Sequence, residues 1–173
     1  MKKLLLVASL AFAMPAMQAC ANDEGPSDMQ IAHIAYTAGQ IDIRYAGIAL
    51  KKSKNQEILD FAILMQRDHK AVNDSALALL DKLGATPEDN PTSQSLLAQA
   101  DAKAAELEAL SGAEFDRAYA ENELAYHRFV NDTVENAFIP AADNAEFKAL
   151  LGVALKTFQA HEAHAEMMVE AVK

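Results

Sequence analysis

The sequence predicts an all-α fold, a bundle of four long helices with a shorter helix between the second and the last two. Apolar residues recur every three or four positions along most of the chain, which is the spacing of one helix face. No segment shows the alternation of a half-buried strand, and the helix-favouring residues Ala, Leu, Glu and Lys are abundant. A chain of 173 residues is long enough to form one domain with a hydrophobic core.

The first two predicted helices are joined by a short polar loop. Ser27 and Asp28 can cap a first helix over about Met29–Lys52, because both side chains accept hydrogen bonds from a first turn. The second helix follows Asn55, its expected cap, and ends just before Gly84, which favours a helix stop. Both helices carry a continuous apolar face, so both are predicted to pack against the same core.

A loop and a shorter helix follow. Residues 85–92 include two prolines and are predicted to form a loop, and residues 93–110 form an Ala-rich third helix. This third helix can carry the chain back to the end of the bundle where the first helix stops. Such a crossover between two helix pairs is typical of ferritin-like bundles, so the sequence predicts a ferritin-like four-helix bundle with an additional shorter helix in the crossover.

The last two helices are again long. The segment Ser111-Gly112-Ala113-Glu114 has the capping-box pattern and predicts a fourth helix that reaches about Phe138 and ends at Pro140. A fifth helix begins at Asp143 or Asn144 and runs almost to the C-terminus. The four long helices of roughly 24 to 30 residues would each be roughly 36 to 45 Å long.

The N-terminus has the plan of a bacterial signal peptide. Residues 1–19 contain two lysines, an apolar run too short to span a membrane, and a small residue before Cys20. Cleavage before Cys20 would produce a lipoprotein with residues 20–28 as a flexible tether, whereas soluble cleavage would remove residues 1–21. We favour a lipidated Cys20 and expect a periplasmic domain, residues 29–173, anchored to the outer membrane.

The composition excludes several partners. The chain has 25 acidic and 15 basic residues and a formal net charge of −10, which repels phosphate backbones and anionic lipid headgroups. We therefore expect no nucleic acid partner, and membrane contact only through an anchor at Cys20. Cations are the natural small partners of such a surface. The single cysteine excludes an intramolecular disulfide, and the sequence leaves the oligomeric state open.

One ionisable residue interrupts the apolar face of each long helix, and these residues are Asp42, His69, His127 and His161. Counted from the end where the first helix meets the second, they lie at similar depths, within ~6 Å at about 1.5 Å per residue. Helical bundles build metal sites from inward-facing residues of this kind. The sequence therefore predicts a metal site, whose three imidazoles and one carboxylate suit zinc, iron, manganese or copper(II).

Other polar residues near these positions have weaker assignments. His164 and Glu123 are candidate auxiliary ligands, since each lies one helical turn from a predicted ligand. Asp68 points about 100° away from His69, which lies on the apolar face, so Asp68 is expected to support a ligand from outside or to face solvent. His33 is expected to be solvated. The alternative for every core histidine is a structural residue bonded to a carbonyl or a tyrosine hydroxyl.

Several reactions find no support in the sequence. The chain has no Glu-x-x-His motif of the carboxylate-bridged di-iron oxidases and no His-Glu-x-x-His protease motif. It also has no phosphate-binding Gly-rich loop and no nucleophile elbow, and Cys20 lies in the predicted tether. We therefore predict no catalytic residues and no organic cofactor.

Several segments of the chain match the pattern of a known family. They are Asp28–Ile34, Gln40–Ile43, Phe61-Ala62 with Met65, Asp68-His69, Phe115–Tyr119, Ala125–His127, Phe138–Pro140 and Phe158–His161. With these segments the chain resembles domain-of-unknown-function family 4142 over nearly all residues after the tether. The resemblance implies a ferritin-like, exported protein and places the family's recurring acidic residue and histidines on Asp42, His69, His127 and His161, but it implies no known activity.

Together these observations predict an exported ferritin-like bundle that binds a transition metal in its core, in a binding, buffering or sensing role. Two other hypotheses remain at this point. One is a metal-free structural or stress-related envelope protein whose buried histidines hold hydrogen bonds. The other is a small redox enzyme that uses the same site with an open coordination position.

Overall fold

A computed structural model describes residues 25–173 of the chain. The predicted signal peptide and Cys20 lie outside this range, as does the first part of the predicted tether. Within residues 25–173 the fold is all-helical and contains no strand, which confirms the predicted class. The five main helices are α1 (Asp28–Lys52), α2 (Gln56–Leu83), α3 (Pro91–Ala109), α4 (Gly112–Thr133) and α5 (Ala145–Ala171).

Local capping explains where the first two helices begin and end. Ser27 caps α1 in a reciprocal capping box with Gln30, in which each side chain binds the other residue's backbone N–H. Asn55 accepts a hydrogen bond from the N–H of Glu57 at the start of α2. Gly84 ends α2 with a φ of 63°, a left-handed conformation that favours glycine. These starts and stops confirm the sequence predictions.

The next two helices start differently from the predictions. Helix α3 begins at Pro91 rather than Ser93, because Asn90 accepts from the N–H of Ser93 and a proline is well suited to a first turn. The predicted capping box of α4 is wrong: within the described part of the chain, Ser111 makes no side-chain cap hydrogen bond. Gly112 follows it with a φ of 57°, a left-handed conformation that favours glycine.

Helix α4 continues beyond its predicted end. One π-helical turn, Val134–Phe138, is followed by a last helical turn, Ile139–Ala141, so the helical path stops one residue after Pro140. In a regular α-helix the ring of Pro140 would clash with the carbonyl four residues earlier. The π turn widens the backbone just before this position, which explains how the proline is accommodated.

The four long helices pack side by side. Helices α1 and α5 each contact both α2 and α4, while α3 lies against α1 and reaches α4. At one end, the Ser53 hydroxyl donates to Asp116 at the start of α4. At the other end, the carboxylate of Asp28 accepts from the backbone N–H groups of Asp143 and Asn144. Neighbouring long helices are therefore antiparallel, and α3 is the crossover.

Two apolar clusters fill the interior. Core A lies where α1 meets α2 and includes Phe61, Leu107, Phe115 and Met168. Core B lies where α1 begins and includes Ile31, Val134, Phe147 and Leu151. Among the helices of residues 25–173, none combines the length and apolar character that a membrane span requires.

Candidate metal centre

Between core A and core B lies a buried polar layer. It contains Asp42 from α1, His69 from α2, His127 from α4 and His161 from α5, and each is at most 3% exposed. The structure thus brings together the four residues that the sequence selected, one from each long helix. The four residues lie at a common depth because each is nearly the same number of residues away from the same end of the bundle.

The four side chains are in close contact. Asp42 Oδ2 lies 3.1 Å from His69 Nε2 and 3.4 Å from His127 Nε2. The ring centroid of His161 is 5.4 Å from those of both His69 and His127. One nitrogen from each of the three imidazoles can be chosen so that all three lie within 4.8 Å of one another. Donor atoms at these separations can face a single ion.

His161 is oriented by a carboxylate outside the cluster. Its Nε2 donates to Asp68 Oδ2 at 3.0 Å, so the neutral ring carries its hydrogen on Nε2 and a lone pair on Nδ1. Nδ1 is buried and has no hydrogen-bond partner among residues 25–173. Asp68 therefore supports His161 from outside the cluster, which is one of the two alternatives that the sequence left open for it. A carboxylate that orients a histidine in this way is common behind metal ligands.

His127 is oriented by the backbone of its own helix. Its Nδ1 donates to the carbonyl of Glu123 at 3.0 Å, which leaves the lone pair on Nε2. That atom is buried and unpartnered among the described residues. His69 is held by stacking, since its ring lies parallel to that of Phe158 with centroids 4.7 Å apart. The three imidazoles are thus held in place before any ligand arrives.

The electrostatics of the layer favour an ionised Asp42 and the neutral forms of His127 and His161. Burial opposes ionisation of Asp42, but the neighbouring histidines outweigh it and lower its pKa. Burial also lowers the pKa of His127, and it lowers the pKa of His161 to about 4 despite the hydrogen bond to Asp68. Neutral imidazoles and an ionised carboxylate are the forms that bind metal ions.

Of the two candidate auxiliary ligands, only Glu123 enters the layer. It is fully buried, and one of its oxygens lies within 4.8 Å of donor atoms of both Asp42 and His127. Burial, with the nearby charge of Asp42, raises the pKa of Glu123 well above its usual range. His164 belongs to neither group of clustered donors found within residues 25–173, and its ring instead packs edge-on against Phe61.

Tyr119 is a buried polar residue of core A that the sequence analysis did not select. Its hydroxyl is buried and has no hydrogen-bond partner in the described part of the chain. Tyr119 precedes Glu123 by one helical turn and His127 by two, and this spacing on one helix face was the available signal. His33, expected to be solvated, is half-buried and contacts the Ser93 hydroxyl at 2.9 Å, far from this layer.

The fold and the site define a class of protein: an all-helical bundle with a buried cluster of histidines and carboxylates. The chain belongs to the family described as "Domain of unknown function (DUF4142)", whose model matches residues 13–168. This confirms the resemblance found in the sequence. No curated protein and no solved structure matches the chain significantly.

Proposed function

We propose that this protein binds a transition-metal ion through Asp42, His69, His127 and His161. The observation that supports this most strongly is the convergence of buried donor atoms within the described bundle. His127 Nε2 and His161 Nδ1 have no hydrogen-bond partner there, and Asp42 Oδ2 lies beside the imidazole nitrogens of His69 and His127. Four converging donors from rigid helices are a sufficient set for a transition metal.

The energetics of the metal-free layer favour this proposal over a purely structural role. A structural histidine is expected to hold hydrogen bonds with both nitrogens or to reach water. His127 and His161 each use one nitrogen in this way, while the other points inward. Leaving a buried polar atom without a partner costs about 1–3 kcal/mol, and the layer contains several such atoms. A bound cation would offset this cost.

The donor set restricts the class of metal. It combines imidazole nitrogen with carboxylate oxygen, and residues 25–173 contain no cysteine. Zinc, iron, manganese and copper(II) accept such mixed ligands, whereas copper(I) prefers sulfur. The role that follows is binding, buffering or sensing of one of these ions.

We extend the proposal to the architecture and location. Two antiparallel helix pairs joined by a crossover that runs the length of the bundle support a ferritin-like classification. The pattern of residues 1–19 supports export to the periplasm, with Cys20 as a lipid anchor. Fractionation of cells tests this part: a Cys20→Ser variant should leave the membrane fraction, and wild-type protein in the cytoplasm would contradict it.

The metal proposal is tested on protein purified without a polyhistidine tag from metal-supplemented cells. Elemental analysis should find at least one equivalent of metal in the wild type and less than about a tenth in His69→Ala and His161→Ala. At about 100 times its dissociation constant, the added metal should stabilise the wild type by roughly 2.7 kcal/mol. His33→Ala is the matched control and should behave as the wild type.

The opposite outcome is equally clear. A wild type that retains less than about a tenth of an equivalent of any metal, and whose melting temperature is unchanged by supplementation, supports the metal-free structural hypothesis. Equal metal content in His33→Ala, His69→Ala and His161→Ala would place the metal outside this layer.

A further inference from the structure

Four buried oxygen atoms in or beside the polar layer are not ligands of the proposed metal site. They are Asp42 Oδ1, both carboxylate oxygens of Glu123, and the hydroxyl of Tyr119. All three side chains are completely buried. Asp42 Oδ1 and the Tyr119 hydroxyl have no hydrogen-bond partner among residues 25–173, and the Glu123 carboxylate has the side chain of Asn122 beside it. Buried oxygens of this kind are normally satisfied by a hydrogen-bond donor or by a cation.

Two of these three side chains belong to a second cluster of donor atoms. Donor atoms of Asp42, Glu123 and His127 fall within 4.8 Å of one another, and this cluster shares His127 with the three-histidine cluster. Tyr119 lies one helical turn before Glu123 on α4, so the two side chains share a helix face. Burial, followed by the charges of Glu123 and Asp42, raises the pKa of Tyr119 well above the usual value. Its ring is fixed by stacking on Phe115 and by an edge contact with Phe61.

A single tetrahedral cation does not use both clusters. A tetrahedral ion such as zinc, bound by three imidazole nitrogens and Asp42 Oδ2, already has its four protein ligands. Asp42 Oδ1, Glu123 and Tyr119 are not ligands of that ion. A carboxylate can ligate two cations through its two oxygens, and cations in such pairs lie about 3.5–4 Å apart.

We propose that Asp42, Glu123 and Tyr119 form a second, oxygen-rich cation position beside the one formed by the three histidines and Asp42. This inference rests on the proposed function, since Asp42 bridges the two positions. The oxygen-rich position takes a hard divalent cation such as Mn²⁺, because carboxylate oxygens are the ligands that such ions prefer. The three-histidine position takes the ion of the proposed function.

The charges set the order of filling. Asp42 and Glu123 supply two negative charges when ionised, which balance one divalent cation but not two. The second cation therefore enters a site with excess positive charge and binds more weakly than the first. The nitrogen-rich position fills first, and the oxygen-rich position fills as the concentration of Mn²⁺ rises.

The experiment counts Mn²⁺ ions and asks whether they are neighbours. Untagged full-length protein is stripped with a chelator and equilibrated with increasing Mn²⁺, and bound metal is measured per chain together with the electron paramagnetic resonance spectrum. The wild type should bind two ions, and its spectrum should change from the six lines of an isolated ion to the broad pattern of a coupled pair. Coupling matters because an acidic chain of net charge −10 also attracts Mn²⁺ to its surface.

Variants assign the second ion. Glu123→Gln should bind one Mn²⁺ with an uncoupled spectrum, and Tyr119→Phe should keep the first ion while the second binds about tenfold more weakly or worse. Glu121→Gln, the same change at an exposed position of α4, is the matched control and should bind a coupled pair. Circular dichroism establishes that each variant is folded.

The outcomes separate this inference from the proposed function. A wild type that binds one ion, or a coupled pair that persists in Glu123→Gln, overturns the second position and leaves the first standing. Two uncoupled ions in the wild type place the second ion elsewhere and also overturn it. A wild type that binds neither Mn²⁺ nor any other transition metal overturns both proposals.

Discussion

Core A and the polar layer beside it are equally buried but differ in how well their buried groups are matched by contacts within the protein. In core A, Leu107, Phe115 and Met168 are fully buried and contact other apolar side chains. In the polar layer, Asp42 and Glu123 are just as buried, yet their carboxylates have only polar neighbours of the layer beside them, His69 and His127 at Asp42 and Asn122 at Glu123. Core A is filled by its own apolar side chains, whereas several polar atoms of the layer have no hydrogen-bond partner within the described residues.

The apolar cores stabilise the bundle, whereas the polar layer is the region to which we assign the proposed function. Burial of apolar surface contributes about 25 cal/mol per Å² and makes the helices associate. The polar layer opposes association, because a buried polar group without a partner destabilises the folded state. The apolar clusters on both sides hold the four donor residues in position despite this cost. Substitutions in the two regions should therefore have different, separable consequences.

The largest effect is expected in core A. Leu107→Ala removes a fully buried side chain of α3 and should lower the free energy of unfolding by about 2–5 kcal/mol, measured by urea denaturation. Leu97→Ala is the matched control on the same helix, where the side chain is 44% exposed, and should cost less than about 0.5 kcal/mol. Metal affinity should change in neither variant. Equal costs for the two substitutions would contradict the packing described for α3.

An intermediate effect is expected where the protein supports the polar layer from outside. Asp68→Ala removes the carboxylate that accepts from His161 Nε2, so His161 loses its fixed tautomer and orientation. Metal affinity, measured by competition with a chelator dye, should fall about 10- to 100-fold. Asp74→Ala, an exposed acidic residue on the same helix, should leave it unchanged. If both variants bind as tightly as the wild type, the orientation of His161 does not depend on Asp68.

The same contrast shows what the sequence could predict. Apolar periodicity and capping residues are local, so the class of fold and the starts of α1, α2 and α5 followed from them, including the Asn144 cap of α5. The π turn Val134–Phe138 was not predicted, because a proline near the end of a helix is compatible both with a helix stop and with a locally widened helix. Pro91 was assigned to a loop because a proline at a first helical turn and one in a loop look alike in a sequence.

The candidate centre was partly accessible to the same reasoning. Helix spacing and equal depth selected Asp42, His69, His127 and His161, and the structure places these side chains together; that they bind a metal stays a prediction. The sequence did not decide whether Glu123 is a ligand or a surface residue, because a side chain at the edge of an apolar face can point either inward or outward. Tyr119 was missed because a tyrosine at helical spacing is compatible with an ordinary core.

The smallest effect is expected from Glu123→Gln in metal-free protein, and it should have the opposite sign. The native pKa of Glu123 is raised, first by burial and then by the charge of Asp42, so the folded state keeps a proton that the unfolded state loses above about pH 4.5. Stability is therefore unaffected by Glu123 below that pH and falls as the pH rises towards the native pKa. Glutamine has the same shape and does not titrate, so it avoids this loss.

Melting temperatures measured with a chelator present should coincide for the wild type and Glu123→Gln near pH 4. They should diverge in favour of the variant as the pH approaches 8, by about 2–4 °C for each kcal/mol. Glu121→Gln, at the exposed position of α4, should follow the wild type throughout. A variant that is less stable than the wild type at pH 8 would mean that the Glu123 carboxylate already has a stabilising partner in the metal-free protein, and the polar layer would then be as complete as core A.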